Sequence, residues 1–207
     1  MSSRGSETVF GRSRQSDSPL AVKIVISGGF GVGKTTFVGA ISEIEPLVTE
    51  ADLTEVSVGV DDLTGVTGKT TTTVALDFGR ITLDESLWLY LFGTPGQDRF
   101  AFLWDDLVDG ALGAVVLLDT RRIEDCFAAL DYFEDRGTPL LLAVNHFERT
   151  RRFDLEEVRE ALGVGTEVPI VECDARGRES VKRVLVELIE QVLATRLGRD
   201  PAGAARW

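Results

Sequence analysis

Apolar positions along this chain gather into short unbroken runs separated by stretches with helical spacing. Leu20-Ala21-Val22-Lys23-Ile24-Val25-Ile26-Ser27 is one such run and predicts a strand; Thr36 to Glu43 after it is compatible with a helix. Ser86 to Phe92 (SLWLYLF), Ala111 to Asp119 (ALGAVVLLD) and Leu140 to Asn145 (LLLAVN) predict buried strands, since a strand covered on both faces reads as a continuous apolar run. Val168 to Cys173 predicts another short one. Between these runs the period changes. Ile123, Cys126, Phe127, Leu130 and Phe133 recur at helical spacing, as do Leu155, Val158 and Leu162, so each set marks one apolar stripe on a helix. Val181, Val184, Leu185, Leu188, Ile189, Val192 and Leu193 form a longer stripe on a last helix, stopped by Gly198 and Pro201.

Local punctuation refines these bounds. Asp154 with Glu157 three positions on predicts a capping box, and Gly163 predicts the end of that helix. Thr71 to Arg80 is β-branched at its start and reads as a single strand, joined through a hairpin around Ile81 to Glu85 to the strand that follows. Residues 44–69, with Pro46, Gly59, Gly65 and Gly68, read as one long connection, a length usual for a functional loop. Strands alternating with helices predict an α/β fold, a mostly parallel sheet with helices on both faces. Right-handed crossovers then bring the loops after the strands to one edge of that sheet.

Composition narrows the class. The 207 residues suffice for one α/β domain, expected over 19–197, with a disordered arm at 1–18 and a flexible tail at 198–207. The net charge of −12 and the lack of a Lys/Arg cluster argue against a nucleic-acid partner. Cys126 and Cys173 have no metal-ligand spacing and read as core thiols in a reducing cytoplasm. No signal peptide, apolar span of about 18 residues or lipidation signal is visible. A cytoplasmic protein without an intrinsic membrane anchor is expected, and any membrane recruitment would need a partner.

The chemistry concentrates after the first strand. Gly28-Gly29-Phe30-Gly31-Val32-Gly33-Lys34-Thr35 is a complete G-x-x-x-x-G-K-[ST] phosphate loop, or Walker A sequence, in the strand–loop–helix context the motif requires. The amides of Gly31, Val32, Gly33, Lys34, Thr35 and Thr36 are candidates to surround phosphate oxygens, with the helix amino end adding positive dipole. Lys34 would reach the β- and γ-phosphates, and the Thr35 hydroxyl would ligate Mg²⁺. Phe30 would project toward the γ-phosphate or pack against the segment after Gly96.

Three further segments follow predicted strands. Leu91-Phe92-Gly93-Thr94-Pro95-Gly96-Gln97 resembles the Asp-x-x-Gly-Gln pattern of the Ras-like small GTPases. Asn145-His146-Phe147-Glu148 resembles their Asn-Lys-x-Asp, and Cys173-Asp174-Ala175-Arg176 their Thr-Ser-Ala-Lys. Thr73-Val74-Ala75-Leu76-Asp77-Phe78 resembles the family's Thr-Ile-Gly-Val-Asp-Phe, which makes Thr73 the choice among Thr70 to Thr73 for the threonine that closes over Mg²⁺. The Thr-Pro-Gly-Gln segment and the threonine run are similar to bacterial small GTPases of the gliding-motility and, above all, the actinobacterial conservon type.

The resemblance implies a small G-protein domain with a mostly parallel six-stranded sheet. It implies that GTP and GDP are the ligands, with Mg²⁺. Lys34, Thr73 and Gln97 would serve hydrolysis, Gln97 by orienting water, while the Gly96 amide would meet the γ-phosphate. Asn145, His146, Phe147, Glu148, Ala175 and Arg176 would contact guanine: the Glu148 carboxylate on N1–H and the exocyclic amine, the Ala175 amide on O6, and Phe147 by stacking. Gly93 stands where the family has the Asp that contacts Mg²⁺ through water, which removes a carboxylate from around the metal. The implied function is a GTP-binding signalling switch with slow, partner-stimulated GTP hydrolase activity and a roadblock/light-chain-7-type regulator. Phe100, Phe102, Leu103 and Trp104, just after Gln97, would either dock such a partner or fill the core beneath. Two alternatives stay open: a nucleotide-holding scaffold without turnover, and an ATP-using phosphotransferase on the same loop.

Overall fold

A computed structural model describes residues 19–45, 49–54, 71–96 and 98–197. The arm expected at 1–18, the tail at 198–207 and Gln97 lie outside the described residues, as do 55–70.

Among the described residues, eight strands and five helices follow in the order β1 (Leu20–Ser27), α1 (Lys34–Ile41), β2 (Thr49–Thr54), β3 (Thr71–Leu76), β4 (Phe78–Asp84), β5 (Leu87–Gly93), α2 (Trp104–Val108), β6 (Gly113–Leu118), α3 (Phe127–Asp135), β7 (Leu140–Asn145), α4 (Leu155–Leu162), β8 (Ile170–Cys173) and α5 (Arg178–Arg196). Short 3₁₀ turns precede α2 and α3. Six strands form one sheet in the order β4-β5-β1-β6-β7-β8. Only the β4–β5 pair in it is antiparallel; the other four pairs are parallel. The predicted six-stranded, mostly parallel α/β fold is therefore what the chain adopts.

Alternation along the central strands divides the interior into two cores. Val115 and Leu117 of β6 and Leu141 and Ala143 of β7 point to one face, where they meet Phe37, Val38 and Ile41 of α1 and Val181, Val184, Leu185 and Leu188 of α5. Ala114, Val116, Leu118, Leu142 and Val144 point to the other, under Trp104 of α2, Leu130 and Phe133 of α3, and Val158 and Leu162 of α4. A period of two thus explains why β6 and β7 carry no polar position until they end: both of their faces are covered. On β5 the same alternation buries Leu89 and Leu91 while Trp88, Tyr90 and Phe92 are half-buried.

Local signals act as expected at α4. Asp154 accepts a hydrogen bond from the Glu156 amide at 2.9 Å, Glu157 accepts one from the Asp154 amide at 3.2 Å, and Gly163 closes the helix at φ 69°. The stripe on α5 is buried through Val192, but Leu193 is half exposed, because a helix of 19 residues runs to about 28 Å and outreaches strands of about 20 Å.

Two expectations need correction. The 44–69 connection contains β2, which pairs antiparallel with β3 in a separate two-stranded sheet. The single strand expected over 71–80 is two: β3 belongs to that ribbon and β4 to the main sheet, and the chain changes partners at Asp77.

The register puts the chemistry on one edge. Ile26 of β1 lies opposite Gly93 on one side and Val115 on the other. The ends of β1, β5, β6, β7 and β8 consequently face the same crevice, where the strand order reverses about β1, the usual ligand position of an open α/β sheet.

Candidate functional site

The loop between β1 and α1 winds back on itself through positive φ at Gly28, Gly31 and Gly33. At Gly33, with φ 109°, a Cβ would also stand 2.7 Å from Asn145 Nδ2, so glycine is required on both counts. The helix that follows has no side-chain cap and no acid in its first turn. Its first amides are orphan donors next to the positive end of the dipole, a ready anion site.

Lys34 is 8% exposed and folds back over the loop, donating to the carbonyls of Gly28 and Gly29 at 2.8 Å each. Burial pushes its ammonium down to about 8, with the charge of Asp77 acting in the opposite direction. A Cβ at Gly96 would stand 2.7 Å from Lys34 Nζ and 3.0 Å from the Phe30 Cα, so the segment after β5 lies directly on the loop. Ser27 and Thr94 hydroxyls, 3.0 Å apart, tie the ends of β1 and β5 together. Phe30 itself keeps 64% of its surface exposed.

Thr35 Oγ1 donates to Asp77 Oδ2 at 2.9 Å. A hard cation such as Mg²⁺ takes oxygen ligands and uses few protein groups beside phosphates. A hydroxyl whose proton is committed to a carboxylate keeps its lone pairs for such a cation, so the residues present fit Mg²⁺. Thr73 lies in β3 opposite Asp52.

The other strand ends complete the crevice. Asn145, 6% exposed, donates from Nδ2 to the Val32 carbonyl at 2.8 Å and accepts from the Ala175 amide at 3.0 Å. It clasps the phosphate loop and the β8 loop together. His146 lies toward β8, its Nε2 3.7 Å from Glu172. Glu148 is 2.9 Å from Arg176, which also holds Asp174 at 2.9 and 3.0 Å. The Arg176 hydrogen bonds keep the Asp174 carboxyl below the usual range. The predicted base-contacting residues Asn145, Glu148, Ala175 and Arg176 are therefore brought together, and His146 stands aside on Glu172.

Sequence reasoning missed the segment after β6. Asp119 is buried and held by Arg121 at 2.6 and 2.8 Å, which lowers its carboxyl pKa. The Arg121 guanidinium lies 3.9 Å over the Phe147 ring. Arg122 donates to the Phe30 carbonyl at 2.9 Å, bracing the phosphate loop from outside. The available signal was a polar cluster, Asp119-Thr120-Arg121-Arg122, at the carboxyl end of an apolar strand. Of the aromatic cluster after Gln97, Phe100 and Trp104 are buried while Phe102 is 60% exposed.

Comparison with known proteins bears on the family and the fold. An uncharacterized protein of Methanocaldococcus jannaschii is 32% identical over 101 residues, which take in 49% of this chain and 53% of that protein, so the match spans about half the relative's length. Ras-related protein RABC2a of Arabidopsis thaliana is 26% identical over 190 residues, 87% of this chain and 82% of the relative. Ras-related protein SEC4 of Saccharomyces cerevisiae is 25% identical over 130 residues, 58% of this chain and 60% of the relative. Among solved structures, the G domain of FeoB from Methanococcus jannaschii superposes with a TM-score of 0.55 at 16% identity, covering 84% of this chain and 98% of that one. The cytosolic domain of the T. maritima FeoB iron transporter gives 0.57 at 19% identity, covering 84% and 64%. The fold is that of P-loop G domains. Residues 26–195 match the profile of a family described as conserved hypothetical ATP binding protein, and the chain belongs to that family.

Proposed function

We propose that this protein is a guanine-nucleotide switch that hydrolyses GTP slowly. The observation that carries the reading is the uncapped amino end of α1 beside a buried Lys34, clasped through Asn145 to the loop that bears Ala175. Backbone amides from Gly31 to Thr36 and the Lys34 ammonium hold the β- and γ-phosphates, and the Gly96 amide meets the γ-phosphate. Thr35 and Thr73 hold Mg²⁺, which when bound neutralises charge on the phosphate oxygens. Gln97 orients a water for in-line attack on the γ-phosphorus; the bond to the β–γ bridging oxygen breaks, and GDP and phosphate leave. Loss of the γ-phosphate contacts loosens the hold of the phosphate loop on the segment around Gly96.

A partner that senses this change docks beside the exposed Phe102. The sequence resemblance supports a bacterial conservon-type branch and a roadblock/light-chain-7-type regulator for that role. The same reading places the protein in the cytoplasm, at a membrane only through a partner. Among the described residues no helix is long and apolar enough to cross a membrane.

A second reading, ATP as the nucleotide, is favoured by the family description and by Glu148 being already engaged by Arg176. Gly93, which leaves β5 without a carboxylate at its end, favours a third: a scaffold that holds nucleotide without turnover. Single-turnover phosphate release from bound GTP and from bound ATP separates all three. The switch predicts slow release from GTP that stops in Gln97→Leu while affinity is kept. Release from ATP alone supports the second reading, and release from neither supports the scaffold.

A further inference from the structure

In P-loop NTPases the threonine of the phosphate loop shares the cation with an acidic residue at the end of a neighbouring strand. Here the strand beside β1 ends in Gly93, which brings no carboxylate. The space beside Gly93 is nevertheless filled by one. The Gly93 amide donates to the Asp77 carbonyl at 2.8 Å, and Phe78 pairs with Phe92. That register sets Asp77 directly alongside. A Cβ at Gly93 would stand 2.8 Å from the Asp77 Cβ and 2.9 Å from its Oδ2. The side chain of Asp77 therefore occupies the volume that a side chain at position 93 would need.

Its carboxylate is also aimed at the right atom. Thr35 Oγ1 donates to Asp77 Oδ2 at 2.9 Å, and the Asp77 charge acts on the Lys34 ammonium. Among the described residues Asp77 is the carboxylate hydrogen-bonded to Thr35. The break between β3 and β4 falls at Asp77, so its side chain belongs to the alternation of neither strand and reaches Thr35 of α1.

We propose that Asp77 supplies, from the β3–β4 junction, the carboxylate that positions the divalent cation at Thr35, in place of a side chain at Gly93. The inference rests on the reading of the loop as a Mg²⁺–nucleotide site. Asp77 is a positioning residue: it accepts the hydrogen bond of the Thr35 hydroxyl, which leaves that oxygen's lone pairs for the cation, and its negative charge would favour a divalent cation there. Glycine at 93 is then a requirement of the arrangement, since two side chains cannot share the space.

The test is release of N-methylanthraniloyl-GDP and N-methylanthraniloyl-ADP from the full chain at a series of free Mg²⁺ concentrations and in EDTA. Asp77→Asn keeps the shape and the hydrogen bond from Thr35 but removes the charge. It should raise the Mg²⁺ concentration that half-maximally retains probe by about 10- to 100-fold, the usual cost of removing an outer-shell partner, and leave release in EDTA unchanged. The double variant Asp77→Gly, Gly93→Asp moves the carboxylate to β5 and should restore the wild-type Mg²⁺ dependence. An unchanged Mg²⁺ midpoint in Asp77→Asn overturns the proposal. So does a loss that relocation fails to repair, which would make Asp77 merely structural. Wild-type protein that retains neither probe would contradict the underlying reading itself, and the proposal with it; retention by wild type keeps the two failures distinct.

Discussion

Asn145 at the end of β7 donates from Nδ2 to the carbonyl of Val32 in the phosphate loop, 2.8 Å away and 113 residues earlier in the chain. The other end of the same amide accepts from Ala175. One buried side chain thus sets the distance between the loop that would hold phosphate and the loop that would face the base. Both backbone groups are orphaned when it is removed.

Asn145→Ala should therefore lower stability by about 1–3 kcal/mol for an unsatisfied buried donor and acceptor. It should also weaken nucleotide binding, because the two halves of the site lose their fixed spacing. Urea denaturation and a nucleotide titration of the same variant check both effects. Full stability with full affinity would remove Asn145 from the account.

Lys34 makes a pH prediction for the nucleotide-free protein. Its ammonium is pushed from 10.5 down to about 8 by burial. Between these values the unfolded chain holds a proton that the folded chain has released, so stability rises with pH across that window. Below about 8 the penalty is constant and above about 10.5 it is gone. Urea midpoints between pH 7 and 9 should show this rise in wild type and lose it in Lys34→Met, which should also fail to bind nucleotide; above about pH 9 the buried Cys126 and Cys173 thiols, pushed up to about 11, act in the opposite direction.

Phe133 is fully buried between β6 and α2, stacked on Trp104 with ring centroids 6.4 Å apart. Phe133→Ala should cost about 3–5 kcal/mol. The residue lies far from the crevice, so nucleotide affinity measured on the folded fraction should be kept. Chemical denaturation with a parallel titration tests the separation of core from site.

Glu148 is 79% exposed and bound to Arg176. If its carboxylate turns to accept from guanine, Glu148→Gln should reduce the preference for GTP over ATP by about 10- to 100-fold, the worth of a hydrogen bond to a charged acceptor. Competition titrations of the two nucleotides measure the ratio. An unaltered ratio would assign Glu148 to the ion pair alone.

The parts legible in the sequence are those whose signal is local. The phosphate loop is contiguous, and the doubly covered strands β6 and β7 announce themselves by unbroken apolar runs. The α4 cap is spelled by two residues three apart. What was not legible depends on register. Thr49-Glu50-Ala51-Asp52-Leu53-Thr54 carries little apolar alternation, since its ribbon with β3 lies apart from the main sheet. Asp77 looked like one position within a strand, and its meaning arises only where β4 and β5 pair and set it beside Gly93. Glu148 and Arg176 were each predicted, but the bond between them follows from the adjacency of β7 and β8. Arg122 reaches Phe30 across a distance in sequence that no spacing rule covers.

In the proposed reading the amides of residues 31–36 and the Lys34 ammonium grip the polyphosphate of a purine nucleotide. Isothermal titration of the purified chain with GTP, and separately ATP, in the presence of Mg²⁺ tests it most directly. A saturable heat with one site per chain is expected, stronger for GTP and absent in Lys34→Ala. No heat with either nucleotide, or undiminished affinity in Lys34→Ala, would contradict it.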